Sequence, residues 1–238
     1  MDKESISHHI SKQFNAELED IRNRVLSMGG LVEQQLILAI KAMVESDKEA
    51  AEKVVESDYK VNAMEVEIDE ESVQVIARRQ PTASDLRLVI AVIKTITDLE
   101  RIGDESERIG RMALDVMNNP SLQLPITAWD NMGQRVRRML HDALDAFARM
   151  DAEAAMRVWN EDSNVDGEYE GIMRQLMTYM MEDTRAIPKI LEVIWATRAL
   201  ERIGDRVSNI CEYIIYLVKG KDVRHISVEQ MENTVHGS

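Results

Sequence analysis

Apolar residues recur along this chain at helical spacing almost throughout. Phe14, Leu18, Ile21, Val25, Met28 and Val32 alternate by four and three, the seam of a bundle helix. Val54, Val61, Ile68 and Val75 repeat every seven residues, and so do Val158, Val165, Ile172 and Tyr179. The period-two alternation of a half-buried strand appears nowhere at length. The pattern predicts an all-α protein.

The pattern also repeats on itself. Glu100-Arg101-Ile102-Gly103-Asp104 returns as Glu201-Arg202-Ile203-Gly204-Asp205, an offset of 101 residues. At that offset Leu86, Val89, Ile90, Val92, Ile93, Leu99 and Ile109 meet Ile187, Ile190, Leu191, Val193, Ile194, Leu200 and Ile210. Upstream the offset is 104, where Asp47-Lys48-Glu49-Ala50-Ala51 meets Asp151-Ala152-Glu153-Ala154-Ala155. The second copy is therefore shorter between its second and third helices. Each copy reads as three helices, so the expected architecture is two tandem pseudo-symmetric three-helix bundles. Their expected bounds are 8–119 and 120–220, with a loose C-terminal tail at 221–238 where the apolar pattern fades.

Punctuation agrees. Pro81 precedes the third helix, Pro120 and Pro125 lie between the copies, and Pro188 stands near the start of the sixth helix. Asp47 and Asp151 suit N-caps, because a short carboxylate accepts from free first-turn amides. Gly29-Gly30 interrupts the first helix and marks a bend or a close contact.

Composition narrows the function. Hydrophobic residues make up 45% of the chain and aromatics only 4%, as expected of long Leu-, Met- and Ala-rich helices. Against 29 basic residues stand 43 acidic ones, a net charge of −14. Such a surface repels nucleic-acid backbones and anionic lipids, so no nucleic-acid partner is expected and membrane association only through other proteins. One cysteine, Cys211, falls on an apolar helix face and reads as a core residue in a reducing compartment. Met1 to Phe14 lacks the apolar region of a secretory leader, and no run is expected to reach the roughly 18 apolar residues of a membrane span. The expected location is the cytoplasm. The 15 methionines, including Met177, Met180 and Met181, read as adaptable core filler.

The chemistry-bearing positions are carboxylates. Glu100 and Asp104 are four apart on one helix face, as are Glu201 and Asp205. Oxygen ligands at that spacing can hold a hard cation such as Mg²⁺, Mn²⁺ or iron. Glu100 continues the apolar stripe of Leu86, Val89, Ile93 and Ile96, so it needs either a cation or a salt bridge, Arg101 being the nearest candidate. On the second helices Asp58 and Asn62 correspond to Asp162 and Asp166, and these could complete a cage of oxygen donors. Counting charges, four in the second copy against three in the first, favours the second as a cation site. His8, His9, His141, His225 and His236 are scattered, no Glu-x-x-His occurs, and phosphate-loop, GxSxG and dinucleotide fingerprints are absent. No catalytic residue is assigned.

Gln80-Pro81-Thr82-Ala83-Ser84-Asp85-Leu86-Arg87 running into Leu99–Asp104, the second Glu201–Asp205 motif, and the stretch Tyr169–Asp183 together resemble the PhoU family of bacterial phosphate-signalling regulators. The resemblance covers roughly residues 8 to 226. It implies a non-enzymatic negative regulator of phosphate uptake and of the phosphate-starvation response. Such a protein links the ATPase of the phosphate ABC importer to a sensor histidine kinase and forms a homodimer. In some relatives the Glu/Asp-x-x-x-Asp motifs bind metal clusters. Glu100/Asp104, Glu201/Asp205 and Asp162/Asp166 fit that motif, whereas Asp58/Asn62 departs from it. Two other classes stay open on the residues alone: a metal-dependent enzyme on phosphorylated substrates, and a purely structural helical tether whose acids are salt-bridged.

Overall fold

The computed structural model describes residues 3–117 and 126–237, with side chains from residue 13 onward. Pro120 and Pro125 lie outside the described residues. Every regular element among them is helical. In chain order these are α1 (Lys3–Glu45), α2 (Lys48–Ser57), α3 (Tyr59–Arg79), α4 (Ala83–Met117), α5 (Ile126–Arg149), α6 (Ala152–Asn160), α7 (Asp162–Glu182), α8 (Ile187–Lys219) and α9 (Val228–His236), with a 3₁₀ turn at Thr184–Ala186.

The expected second helix of each copy is therefore two helices in line. The joints fall at Asp58 and Glu161, and both residues keep helical backbone angles. Three-residue bonds appear there: Val61 N–H donates to Asp58 O at 2.9 Å, Glu161 N–H to Val158 O at 3.0 Å, and Asn164 N–H to Glu161 O at 3.0 Å. One tightened turn interrupts each ladder without redirecting the chain. The heptad stripe of Val54, Val61, Ile68 and Val75 accordingly passes through the joint fully buried.

The corners before these helices are duplicated in detail. Ser46 and Met150 both take left-handed backbone angles, φ 56° and 52°. Each is followed by an aspartate cap, Asp47 accepting from Ala50 N–H at 3.0 Å and Asp151 from Ala154 N–H at 2.9 Å. A methionine is a poor residue for that conformation, so the turn is held by its surroundings. Gly29 does not bend α1, which continues unbroken. A Cβ there would collide with the Leu144 side chain, so this glycine sets how closely α1 and α5 approach.

The two copies join through α4 and α8, which run antiparallel along each other. Arg87 lies against Gly220 at one end, Asp98 pairs with Arg206, and Glu105 pairs with Arg202. Most buried residues of α4 and α8 are apolar, so this seam is core for both bundles. Cys211 of α8 is buried, and burial pushes its thiol far above the ordinary range.

Three expectations change. Against the expectation of no membrane-length apolar run, α1 is long and apolar enough over Gln13–Glu45 to cross a membrane by length and composition alone. In the fold its apolar face (Ile21, Val25, Met28, Val32, Leu36) is packed inside the first bundle. The segment after Gly220, expected to be loose, carries α9. Ser227 and Gln230 form a reciprocal capping box, and Met231 and Val235 are buried beside α6. Met177 and Met181, expected as core filler, are exposed, because they fall on the face of α7 opposite its buried stripe.

Candidate functional site

The repeated acids come together once per copy, around the glycine of each third-helix motif. Gly103 lies where α4 passes the joint of α2 and α3. A Cβ on it would sit 3.1 Å from Gln35 Oε1 and 3.4 Å from Asp58 Oδ1. Gly204 repeats the arrangement, with Asp162 Oδ1 at 3.2 Å and Val165 Cγ1 at 3.4 Å. The missing side chain lets a carboxylate from the second helix reach the third, which is the work of both glycines.

In the first copy Asp58 is buried, Glu100 half-buried and Asp104 exposed. Burial, then the neighbouring Asp104, Glu65 and Asp58 charges, push the Glu100 carboxyl up to about 7. Asp58 is raised by burial and by Asp104 and Glu107, and Asp104 by burial and Glu107. Asn62 donates to Asp58 Oδ2 at 3.2 Å, so it serves as a hydrogen-bond donor to the acid and not only as a neutral copy of Asp166.

In the second copy burial, Asp205 and Asp166 push Asp162 up to about 6. Glu201 and Asp205 are also raised, first by burial. Here a cation of the protein's own intervenes. Arg198 Nη1 bonds Glu201 Oε1 at 2.9 Å. The salt bridge expected between Arg101 and Glu100 is not made among the described residues, Arg101 being exposed, and in the second copy Arg202 reaches across to Glu105 at 3.1 Å.

Two acids missed in the sequence belong to the first cluster. Glu65 acts on Glu100, and Glu107 acts on Asp58 and Asp104. Their counterparts in the second copy are Tyr169 and Ser208, so the search by repetition passed over them. A signal was there: Glu65 follows Asp58 by seven residues and Glu107 follows Glu100 by seven, placing each pair on one face. Counted as carboxylates, the first copy then has five against four in the second, and each copy pairs one of them with an arginine, Arg111 with Glu107 and Arg198 with Glu201.

All donors in both clusters are oxygen, the set that hard cations prefer. Asn62 Oδ1 and Glu201 Oε2 are buried without a hydrogen-bond partner among the described residues. Among those residues no three Asp, Glu, His or Cys side chains converge, as they stand, in metal-binding geometry. The acids are thus gathered and mutually repelled, a repulsion that a bound cation would relieve.

The PhoU domain model matches residues 25–113 and again 130–214. The chain belongs to the PhoU family. Over 238 residues it is 56% identical to the phosphate-specific transport system accessory protein PhoU of Serratia marcescens, covering all of this chain and 98% of that protein. The PhoU of Escherichia coli K12 is 53% identical over 237 residues, with 100% and 98% covered. The crystal structure of PhoU from Pseudomonas aeruginosa superposes with a TM-score of 0.85 at 50% identity, covering 87% of this chain and all of that one. The phosphate transport system regulatory protein PhoU from Streptococcus pneumoniae gives 0.82 at 30% identity, with 88% and 99% covered. The doubled domain match falls on the two halves related by the internal offsets, and the two-bundle, all-helical reading of the sequence stands.

Proposed function

We propose that this chain is an accessory protein of a phosphate-specific transport system, acting in the cytoplasm as a negative regulator of phosphate uptake and of the starvation response. The observation that carries the reading is the match along the whole chain to proteins with that accessory name. In the finer reading it bridges the importer's ATPase and a sensor histidine kinase, works as a homodimer, and does no catalysis. A helical body whose described residues gather acids but pair no nucleophile with a base suits an adaptor better than an enzyme. The two carboxylate clusters hold divalent or iron cations. Asp58, Glu65, Glu100, Asp104 and Glu107 contribute in the first copy, and Asp162, Asp166, Glu201 and Asp205 in the second, with exposed Asp104 and Asp205 turning inward on binding. Bound cations would neutralise the clusters and tie the second helix of each bundle to the third.

Deleting the gene and following a phosphate-starvation reporter in phosphate-rich medium tests the regulatory role. The reporter should rise, and fall again when the wild-type chain is restored. Unchanged output in the deletion strain would overturn the reading. Copurification of the importer's ATPase and of the kinase with the chain tests the bridge, and loss of either partner breaks it.

A further inference from the structure

Helix α3 has two apolar stripes. Val61, Ile68 and Val75 are buried in the first bundle. Tyr59, Val66 and Val73 recur at the same seven-residue spacing two positions earlier, which on a helix is close to the opposite side. They face solvent, at 66%, 56% and 53% exposure. Ala63 and Ala77, also exposed, fill in the four-three alternation, so the outer seam reads Tyr59, Ala63, Val66, Glu70, Val73, Ala77. It is about 27 Å long. A solvent-facing helix side is ordinarily polar, and a sustained seam of this kind is the pattern by which one helix receives another.

The seam belongs to the first copy. At the corresponding positions α7 carries Ser163, Gly167, Glu170, Arg174, Met177 and Met181, apolar only in its last turns. The scaffold therefore does not require an apolar outer face here.

Charge selects the occupant. The middle of α3 reads Glu65-Val66-Glu67-Ile68-Asp69-Glu70-Glu71. Arg24 of α1 bonds Glu67 and Glu71, while Asp69 and Glu70 have no ion-pair partner among the described residues. Lys60, near the start of the helix, leans over the Tyr59 ring with its ammonium 6.0 Å from the centroid. Because the seam is centred on residue 68, pairing α3 with a second copy of itself, parallel or antiparallel, would set this acidic run beside its own image. A helix with apolar seam residues flanked by Lys and Arg meets both the stripe and the charge.

We infer that the outer face of α3 is the docking surface for a basic amphipathic helix of another protein. The inference does not depend on the clusters holding metal or on the phosphate role. Its test uses the full chain and a synthetic three-heptad peptide with Leu at the seam positions and Lys at the flanks, beside a charge-reversed peptide with Glu at the flanks. Fluorescence anisotropy reads affinity, and hydrogen exchange reads where protection appears. The Lys peptide should bind and protect amides of α3, and the Glu peptide should not bind. Tyr59→Ser/Val66→Ser/Val73→Ser keeps the charge and removes the apolar line; it should weaken binding about tenfold or more, with circular dichroism unchanged. Glu70→Lys, a single exposed change, should weaken the Lys peptide and strengthen the Glu peptide. Equal binding by the triple variant, or protection falling on α7 and not α3, overturns the inference. So does sedimentation showing that the wild type dimerises through this face and the triple variant does not, for then the occupant is a second copy.

Discussion

The two bundles share a backbone plan down to a left-handed residue before each aspartate cap, yet their acids are kept under different terms. In the second copy Arg198 tempers Glu201, and the cluster is made of the four repeated positions. In the first, no arginine among the described residues bonds Glu100, Glu65 adds to the repulsion that Asp58 and Asp104 exert on it, and Glu107 adds to that on Asp58. The same scaffold thus holds one cluster whose motif glutamate is bonded by an arginine and one whose motif glutamate is not, the arginine of the first copy, Arg111, pairing with Glu107 instead. A third difference lies between them: Asp98, buried in the α4–α8 seam, stands where the second copy has Ala199.

Breaking that seam should give the largest effect. Asp98 is 2% exposed and accepts from Tyr213 Oη at 2.9 Å, and from Arg206 and Asn209 at 3.5 Å each. Asp98→Ala strands three donors and removes the partner of a half-buried guanidinium. It should cost about 2–4 kcal/mol in urea denaturation, with Tyr213→Phe costing about 1 kcal/mol. The double variant should lose less than the sum, since both act through one hydrogen bond.

Cation binding sharpens the comparison next. In manganese titrations Glu100→Gln should weaken uptake by about tenfold, roughly 1.4 kcal/mol, and Glu201→Gln by less. Arg198→Gln should strengthen the second copy and bring the two together. A larger loss from Glu201→Gln would mean that Glu65 and Glu107 do not contribute, and that the sequence-level count of four charges against three was the better guide.

The metal-free protein should show the same asymmetry through pH. The Glu100 carboxyl is held at about 7, above the value of 4.5 that it has when unfolded. The folded state then binds more protons than the unfolded one between those limits, so stability falls as pH rises through that window. Asp162 does the same from 3.8 to about 6. Glu100→Gln removes the charged form, so at pH 8 it should stabilise metal-free protein, on the order of 1 kcal/mol after solvent screening. Near pH 4 the gain should vanish. Glu201→Gln should gain less, because the variant also abandons Arg198. Equal gains would break the distinction.

What was legible in the sequence, and what was not, follows the same division. Periodicity disclosed the helices because every bundle helix buries one stripe, and self-comparison disclosed the acids that occur twice. Asp98, Glu65 and Glu107 occur once, opposite Ala199, Tyr169 and Ser208, so a search for duplication was blind to them. Helix α9 was missed for another reason. Its signals, Ser227 capping Gln230 and apolar Met231 and Val235 four apart, occupy barely two turns, too short to stand out from a polar tail. The breaks at Asp58 and Glu161 carry no glycine or proline. They come from one tightened turn, which composition does not announce.

The smallest contrast concerns the caps. Asp47 and Asp151 each accept from the amide three residues on, so the cap bond itself should be worth the same in both copies. Asp151→Ala should cost about 1 kcal/mol. Asp47 also receives Lys41 Nζ at 2.7 Å, whereas Arg149 stands 3.9 Å from Asp151. The Lys41 bond, then the Ala50 amide, hold the Asp47 carboxyl below its ordinary range. A group whose folded value is depressed lends stability above its unfolded value of 3.8, and that stability is lost as pH falls through the lower, folded one. Asp47→Ala should therefore lower Tm slightly more than Asp151→Ala at neutral pH and low salt. The excess should disappear in concentrated salt, because the Lys41 pair is exposed and screened while the cap bonds are not. An excess that survives salt would mean that Asp47 holds the corner after Ser46 by more than its charge.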